Sequence, residues 1–316
     1  MPQIVVLGEA LIDVFAEKGV PLRAATTLQP SPGGAPANVA VALARLGADV
    51  GFIGKVGIDD YGSFLIDLLA GEGVDTTHFV ADPREPTMLA IVAAPSPTEQ
   101  HFILYNGANG LLDPEELSPA YIASANLFGY NSVTLASGSR AAALQAALWA
   151  NEAGKHVVFD VNLRPLLWPS LDVARKRIEE ALVTTTILKL NQTELEFLTG
   201  LTDPVQGSQH LLERGVQLCC VSLGVTGAFF NNGTARGQVP AFSVDVRDTT
   251  GSGDAFVAGL SYQLNQLDKP VTQLDEATLR QIVAFANACG ALAATQVGAM
   301  TASPTLEAVE RLLQSA

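Results

Sequence analysis

A carboxylate that closes a glycine-rich turn, in Asp248-Thr249-Thr250-Gly251-Ser252-Gly253-Asp254, is the densest piece of potential chemistry in this sequence. The turn runs directly into Ala255-Phe256-Val257-Ala258-Gly259-Leu260, which predicts a helix whose first N–H groups lack acceptors of their own. Such a helix start binds anions, phosphate above all. Gly251, Ser252 and Gly253 would supply the backbone cradle. Asp254, in the same turn, could take a proton from an alcohol while the cradle holds the charge that develops on a transferring phosphoryl group. The alternative is an acid that only stabilises a helix N-terminus, by ~0.5–2 kcal/mol.

Four other segments carry polar groups at positions suited to ligands, and each has a structural alternative. Gly33-Gly34-Ala35-Pro36-Ala37-Asn38 is a second open turn into a helix, with proline suited to the first helical position; Asn38 either binds hydroxyls or caps its own helix. In Asp160-Val161-Asn162-Leu163-Arg164-Pro165, polar residues follow an apolar strand, where open α/β sheets place ligand contacts, and Arg164 either holds a phosphate or makes a weak surface ion pair. Lys189-Leu190-Asn191-Gln192-Thr193-Glu194 has the spacing of a capping box, and Glu194 could instead orient metal-bound water near phosphates. Asp13 interrupts an apolar strand, where it needs either sugar hydroxyls or an edge position turned to water.

Around these residues the chain alternates short apolar runs with helical patterns. Val50–Ile53, Leu127–Tyr130, Val157–Asp160, Ile187–Leu190 and Leu218–Ser222 read as strands. Helices are predicted over Gly62–Leu69 and Ala141–Trp149, from about Thr193, and in the Ala-rich stretches after Gly253 and Leu274, so that the last third is mostly helix. This rhythm predicts a Rossmann-like, doubly wound α/β fold with a mostly parallel sheet. Ile12–Leu28 and Thr87–Tyr105 break it with strand-like patches and turn residues. Together, over about 12–32 and 87–106, they are expected to form a small discontinuous β-sheet lid on a single domain spanning 1–316.

The bulk composition narrows the partners. Among 316 residues, 48% apolar content supports a large core, and 18 basic against 32 acidic residues leave a net charge of −14, which disfavours nucleic acid and anionic membranes. Three cysteines, two of them adjacent, match neither a disulfide framework nor a zinc spacing, and no secretory signal or run of roughly 18 apolar residues is present, so a cytoplasmic protein is expected. Walker A, nucleophile-elbow, H-E-x-x-H and C-x-x-C motifs are all missing, and the four histidines have no ligand spacing.

Taken together, these segments resemble the PfkB (ribokinase-like) carbohydrate kinase family across the whole chain. The N-terminal family pattern looks like Gly33 through Asn38 continuing into Gly54-Lys55-Val56-Gly57-Ile58-Asp59-Asp60-Tyr61-Gly62, and the C-terminal pattern like Asp248 through Leu260. Gly8-Glu9-Ala10-Leu11-Ile12-Asp13, Asp160 through Trp168 and Glu194 through Gly200 look most like fructokinases. The resemblance implies transfer of the ATP γ-phosphate to a primary sugar hydroxyl, O6 of fructose, with Asp254 as base and Gly251 to Asp254 as anion hole. It puts Asp13, Gly33, Gly34, Asn38 and Tyr105 at the sugar, and Arg164 near the phosphoryl acceptor. Asn191, Ser222, Gly224, Gly227 and Asn287 fall at the nucleotide, Glu194 near Mg²⁺ through water, and Asp248 and Thr250 at a K⁺ site. The strand Phe102-Ile103-Leu104-Tyr105-Asn106 lacks the arginine that many fructokinase-like members carry after the aromatic. A 2-keto-3-deoxygluconate kinase, whose acidic substrate favours a cationic lid, is the next reading. A nucleoside kinase and a non-catalytic sugar-binding regulator follow. Pairing of two lids into a homodimer is also expected.

Overall fold

The computed structural model describes every residue except Lys18, Pro97, Thr98 and Ala316. Lys18, Pro97 and Thr98 belong to the segments assigned to the small sheet and lie outside the described residues. The strands are β1 (Ile4–Leu7), β2 (Leu11–Ala16), β3 (Leu28–Gly33), β4 (Val50–Gly57), β5 (Asp75–Asp82), β6 (Leu89–Ser96), β7 (Glu99–Tyr105), β8 (Leu127–Asn131), β9 (His156–Asp160), β10 (Ile187–Asn191), β11 (Leu218–Ser222), β12 (Ala228–Asn231) and β13 (Arg236–Val239). The helices are α1 (Ala35–Arg45), α2 (Asp60–Gly71), α3 (Pro119–Ser124), α4 (Ser132–Ala136), α5 (Arg140–Glu152), α6 (Leu171–Leu182), α7 (Gln192–Thr199), α8 (Pro204–Leu212), α9 (Ser252–Asn265), α10 (Glu276–Ala293) and α11 (Leu306–Gln314).

Nine strands form the main sheet in the order β13-β12-β11-β10-β9-β8-β1-β4-β5. It is parallel from β5 to β11 and ends in the antiparallel hairpin β12–β13. Each central strand is buried on both faces, which is why it reads as an apolar run. One face packs on α1, α9, α10 and α11, the other on α3 and α5 to α8, giving two apolar cores. The chain winds outward in both directions from β1 and β8, and the crevice above such a switch point is where doubly wound folds bind ligands.

This is the Rossmann-like arrangement expected from the alternating pattern. The structure adds β5, β12 and β13, for which sequence offers little signal. β5 is an edge strand with polar residues on both sides, and the hairpin strands are four residues each. The last third therefore contains a sheet edge as well as helices. A second sheet, ordered β3-β2-β6-β7, stands apart from the first. Among the described residues no helix is long and apolar enough to cross a membrane.

Candidate functional site

Asp254 lies in the first turn of α9, whose N-cap Gly251 takes a left-handed backbone with φ of 76°. A Cβ on Gly251 would lie 2.7 Å from Ala299 Cα, so the turn needs glycine for both space and conformation. Within the turn, Ala255 N–H donates to Gly251 O and Ser252 N–H to Thr249 O. The N–H groups of Gly253 and Asp254 remain at the open end. Ser252 Oγ is buried without a partner among the described residues, a polar lining suited to an oxygen-rich anion.

From across the crevice, Asn38 Nδ2 on α1 donates to Asp254 Oδ2 at 2.8 Å. The cap position of α1 belongs to Gly34, which has no side-chain capping bond, so Asn38 serves the site rather than its helix end. Its Oδ1 is buried and unpartnered, an acceptor available to a hydroxyl. Gly34 has φ of 103°, and a Cβ there would strike the Glu9 carbonyl. A Cβ on Gly33 would overlap the Asp13 carboxylate. The paired glycines thus let β3 pass close enough to β2 for Asp13 to sit over them.

Strand register sorts the second sheet. Ser31, Asp13, Ala90 and Leu104 form one cross-strand row, so their side chains share a face. Tyr105 pairs with Leu89, which pairs with Ile12. The expectation that Tyr105 stands alongside Asp13 is corrected: the two-residue period puts Tyr105 on the opposite face, and Leu104 shares the face of Asp13. A cleft of about 550 Å³ lined by Leu104, Met88, Asn106, Asn109, Ser137 and Leu166 adjoins this row.

Electrostatics gather the remaining groups. Burial pushes the Asp254 carboxyl from 3.8 up to about 6; the Asn38 hydrogen bond opposes the rise, Asp160 adds to it, and Lys189 and Arg164 oppose it. Burial also raises Asp13 to about 6, against the opposing charge of Arg164. Arg164 is exposed but lies within reach of both acids, carried there by the turn after β9, where Asn162 has φ of 35°. Asn162 is the sole non-glycine residue with positive φ among those described.

Three charged residues that the motif reading left without a role complete the floor. Lys189 Nζ pairs with Asp160 Oδ1 at 3.1 Å, both side chains being 7% exposed. Glu9 is buried, accepts from Asn131 Nδ2 at 3.2 Å and Thr134 Oγ at 3.3 Å, and is raised to about 7, chiefly by burial. The available signal was a charge inside an apolar strand, Ile187-Leu188-Lys189-Leu190, which burial makes costly without a partner.

Other expected residues are held by structural bonds. Glu194 forms the capping box: Asn191 Oδ1 accepts the Glu194 N–H at 2.9 Å, and Glu194 accepts the N–H groups of Asn191 and Leu163, both at 2.8 Å. Asp248 accepts from Thr250 N–H at 3.0 Å, Thr250 Oγ at 2.6 Å and Gly298 N–H at 3.1 Å. Asn287 Nδ2 donates to the carbonyls of Val239 and Pro240 at 3.2 and 3.1 Å, and a Cβ on Gly227 would strike the Val239 carbonyl. Ser222 Oγ donates to Leu190 O at 3.4 Å, and Gly224 has φ of 58°. Asn191 and Ser222 end β10 and β11, Asn287 lies beside the end of β13, and Asp248 packs against the end of α10. Within the N-terminal pattern, Lys55 is buried against Asp82 and Glu116 at 2.8 and 2.6 Å. Asp59 caps α2 and accepts Thr87 N–H and Oγ–H, both at 2.7 Å, tying the base of β6 to the main sheet.

Among the described residues no cluster of three or more His, Cys, Asp or Glu is arranged to hold a metal ion. One carboxylate whose oxygens already accept two N–H groups suits a cation held through water and phosphate rather than a protein cage.

The chain matches the model of the pfkB family carbohydrate kinase over residues 1–306. It is 41% identical over 322 aligned residues to the probable fructokinase-6, chloroplastic, of Arabidopsis thaliana, covering 100% of this chain and 83% of that protein. A fructokinase with bound ATP from Xylella fastidiosa has a TM-score of 0.90 and 35% identity, covering 100% of this chain and 99% of that one. A fructokinase from Vibrio cholerae O395, bound to fructose, ADP and calcium ion, has a TM-score of 0.87 and 33% identity, with 99% of both chains covered.

Proposed function

The chain belongs to the pfkB family of carbohydrate kinases, and from that premise we propose that it transfers the γ-phosphate of ATP to O6 of D-fructose, yielding D-fructose 6-phosphate and ADP. The observation that carries the reading is the meeting of Asp254 with Asn38 at a helix N-terminus that still has free N–H groups. A base and an anion cradle then lie within one turn, as alcohol phosphorylation needs.

In the proposed step the Asp254 carboxylate accepts the proton of the sugar hydroxyl as its oxygen bonds to the γ-phosphorus. The bond from that phosphorus to the β,γ-bridging oxygen breaks, ADP leaves with the electron pair, and the proton stays on Asp254. The free N–H groups of Gly253 and Asp254 hold the equatorial oxygens. Asp13, Gly33, Gly34 and Asn38 orient the sugar, and Arg164 faces the incoming phosphoryl group. Asn191, Ser222, Gly224, Gly227 and Asn287 border the nucleotide. A Mg²⁺ ion bound with ATP would neutralise phosphate charge, with Glu194 facing its water, and K⁺ is proposed at Asp248 and Thr250.

The small sheet is proposed to act as a lid over the sugar. Its exposed Phe15, Leu28, Phe102, Ile103 and Tyr105 support pairing with a second copy. The proposed compartment is the cytoplasm, since Cys219, Cys220 and Cys289 are buried and unpaired.

The test is ATP consumption with fructose, 2-keto-3-deoxygluconate, ribose and nucleosides. Fructose is expected to have the highest kcat/KM. Preference for another acceptor would reassign the sugar, and binding without turnover of any would remove the enzyme reading.

A further inference from the structure

The phosphoryl-transfer reading gives no part to the buried ion pair of Asp160 and Lys189. These residues are directly paired neighbours on β9 and β10. Val158 and Ile187, two positions earlier on each strand, belong to the core under α1, α9 and α10. The two-residue period therefore turns Asp160 and Lys189 toward α9 as well. Lys189 Nζ comes within 3.2 Å of where a Cβ on Gly253 would sit. A Cβ at 253 would press on the ammonium, which would have to give by a few tenths of an ångström, so the turn and Lys189 are in close contact.

We propose that Lys189, held by Asp160, is a positioning residue for phosphoryl transfer: its ammonium braces the anion turn from beneath Gly253 and sets the charge felt by Asp254. The inference deepens the kinase reading and rests on it for its kinetic consequences.

A buried ion pair is seldom retained for stability alone, because the desolvation of both charges offsets most of their attraction. This pair lies beneath the turn proposed to hold phosphate, where a fixed positive charge also has a use. Burial by itself would lower the Lys189 ammonium, but Asp160, Glu194 and Asp254 together hold it above its ordinary range, so it stays charged throughout the working pH. The groups facing Asp254 are Glu9 after β1, neutral Asn38 on α1, Asp160 on β9, Arg164 beyond it, and Lys189 on β10. Asp160 and Lys189 act on Asp254 with opposite signs, so removing them one at a time has opposite consequences. A purely structural pair would give two variants damaged alike.

The experiment measures the pH dependence of kcat at saturating fructose in the full chain, in Lys189→Met and in Asp160→Asn. With Asp254 at about 6, the wild type is expected at about half its plateau at pH 6. Lys189→Met should fall below half at that pH, its acid limb moving up. Asp160→Asn should stand above half, its limb moving down. The plateau kcat of Lys189→Met should fall on the order of 10²-fold with the ammonium gone from the cradle. The double variant Asp160→Asn/Lys189→Met strands neither charge and keeps the test open if a single variant does not fold. Its limb should lie between those of the singles, and its plateau kcat should still be lost. Limbs that move together or stay fixed, or a double variant with wild-type kcat, overturn the proposal.

A second readout needs no turnover. The Asp254 carboxyl carbon, followed by ¹³C NMR and assigned with Asp254→Asn, should titrate higher in Lys189→Met and lower in Asp160→Asn. If no acceptor is phosphorylated, the kinase reading fails while this titration still decides the electrostatic coupling. If sugars react but the titration does not move, the inference fails alone.

Discussion

Replacing Asp254 with asparagine is expected to make the protein more stable and nearly inactive. The amide keeps the shape of the carboxylate, and its oxygen can still accept the Asn38 Nδ2 hydrogen bond found at 2.8 Å. What disappears is the proton acceptor. General-base assistance typically contributes 10²–10⁴ in rate, so kcat should fall by that factor, or about 3–5 kcal/mol of barrier, with a smaller change in KM for fructose.

Stability should move the other way. Burial raises Asp254 from 3.8 to about 6, so the fold penalises its ionised form. That penalty is nil below the unfolded value, grows between about 4 and 6, and is fully present above 6. Removing the acid recovers at most about 3 kcal/mol above pH 6 and nothing at pH 3.5. The variant should therefore melt a few degrees higher at pH 7.5 and equal the wild type in acid. Coupled-enzyme kinetics and calorimetry at those two pH values are sufficient. An unchanged kcat would take the base role from Asp254. An unchanged or lower melting temperature at pH 7.5 would show that the buried carboxylate is not strained by its surroundings, and the pH-rate argument built on it would go too.

Four further substitutions test the geometry. Gly33→Ala places a methyl group where the Asp13 carboxylate lies, and losing a charge-assisted hydrogen bond of about 1.5–3 kcal/mol should raise KM for fructose roughly 10- to 150-fold; an unchanged KM would detach Asp13 from the sugar. Tyr105→Ala should leave that KM within about twofold, because Tyr105 shares a row with Leu89 rather than with Asp13, whereas Leu104→Ala should raise it; the reverse order in steady-state kinetics would overturn the assignment of faces. Asp59→Ala strips the acceptors from the buried Thr87 N–H and hydroxyl and should cost about 1–3 kcal/mol in urea unfolding, together with a higher KM from a loosened base of β6; full stability would show that this latch is idle.

Much of this protein is determined locally. Apolar runs spaced by helical patterns specify the parallel sheet, since a strand covered on both faces must be apolar throughout. Glycine turns into α1 and α9 follow from backbone that no side chain would allow, and the free N–H groups at Gly253 and Asp254 follow from helix geometry alone. For that reason Asp254, Asn38 and the paired glycines were legible as candidates, together with the chemistry they suit.

Tertiary structure decided which alternatives are realised, because those choices depend on neighbours remote in sequence. Asn38 turns from a helix cap into a partner of Asp254 only when α1 and α9 pack together on one face of the sheet. Glu194 resolves as the bonded half of a capping box, tied also to Leu163. Register, which no local signal specifies, exchanged Tyr105 for Leu104, since a one-residue difference along a strand reverses the face. The floor of the site was the least visible part. Glu9, Asp160 and Lys189 each look like a misplaced charge in an apolar segment, and only the packing of β1, β9 and β10 beneath α9 gives those charges one another, and Asp254, as company.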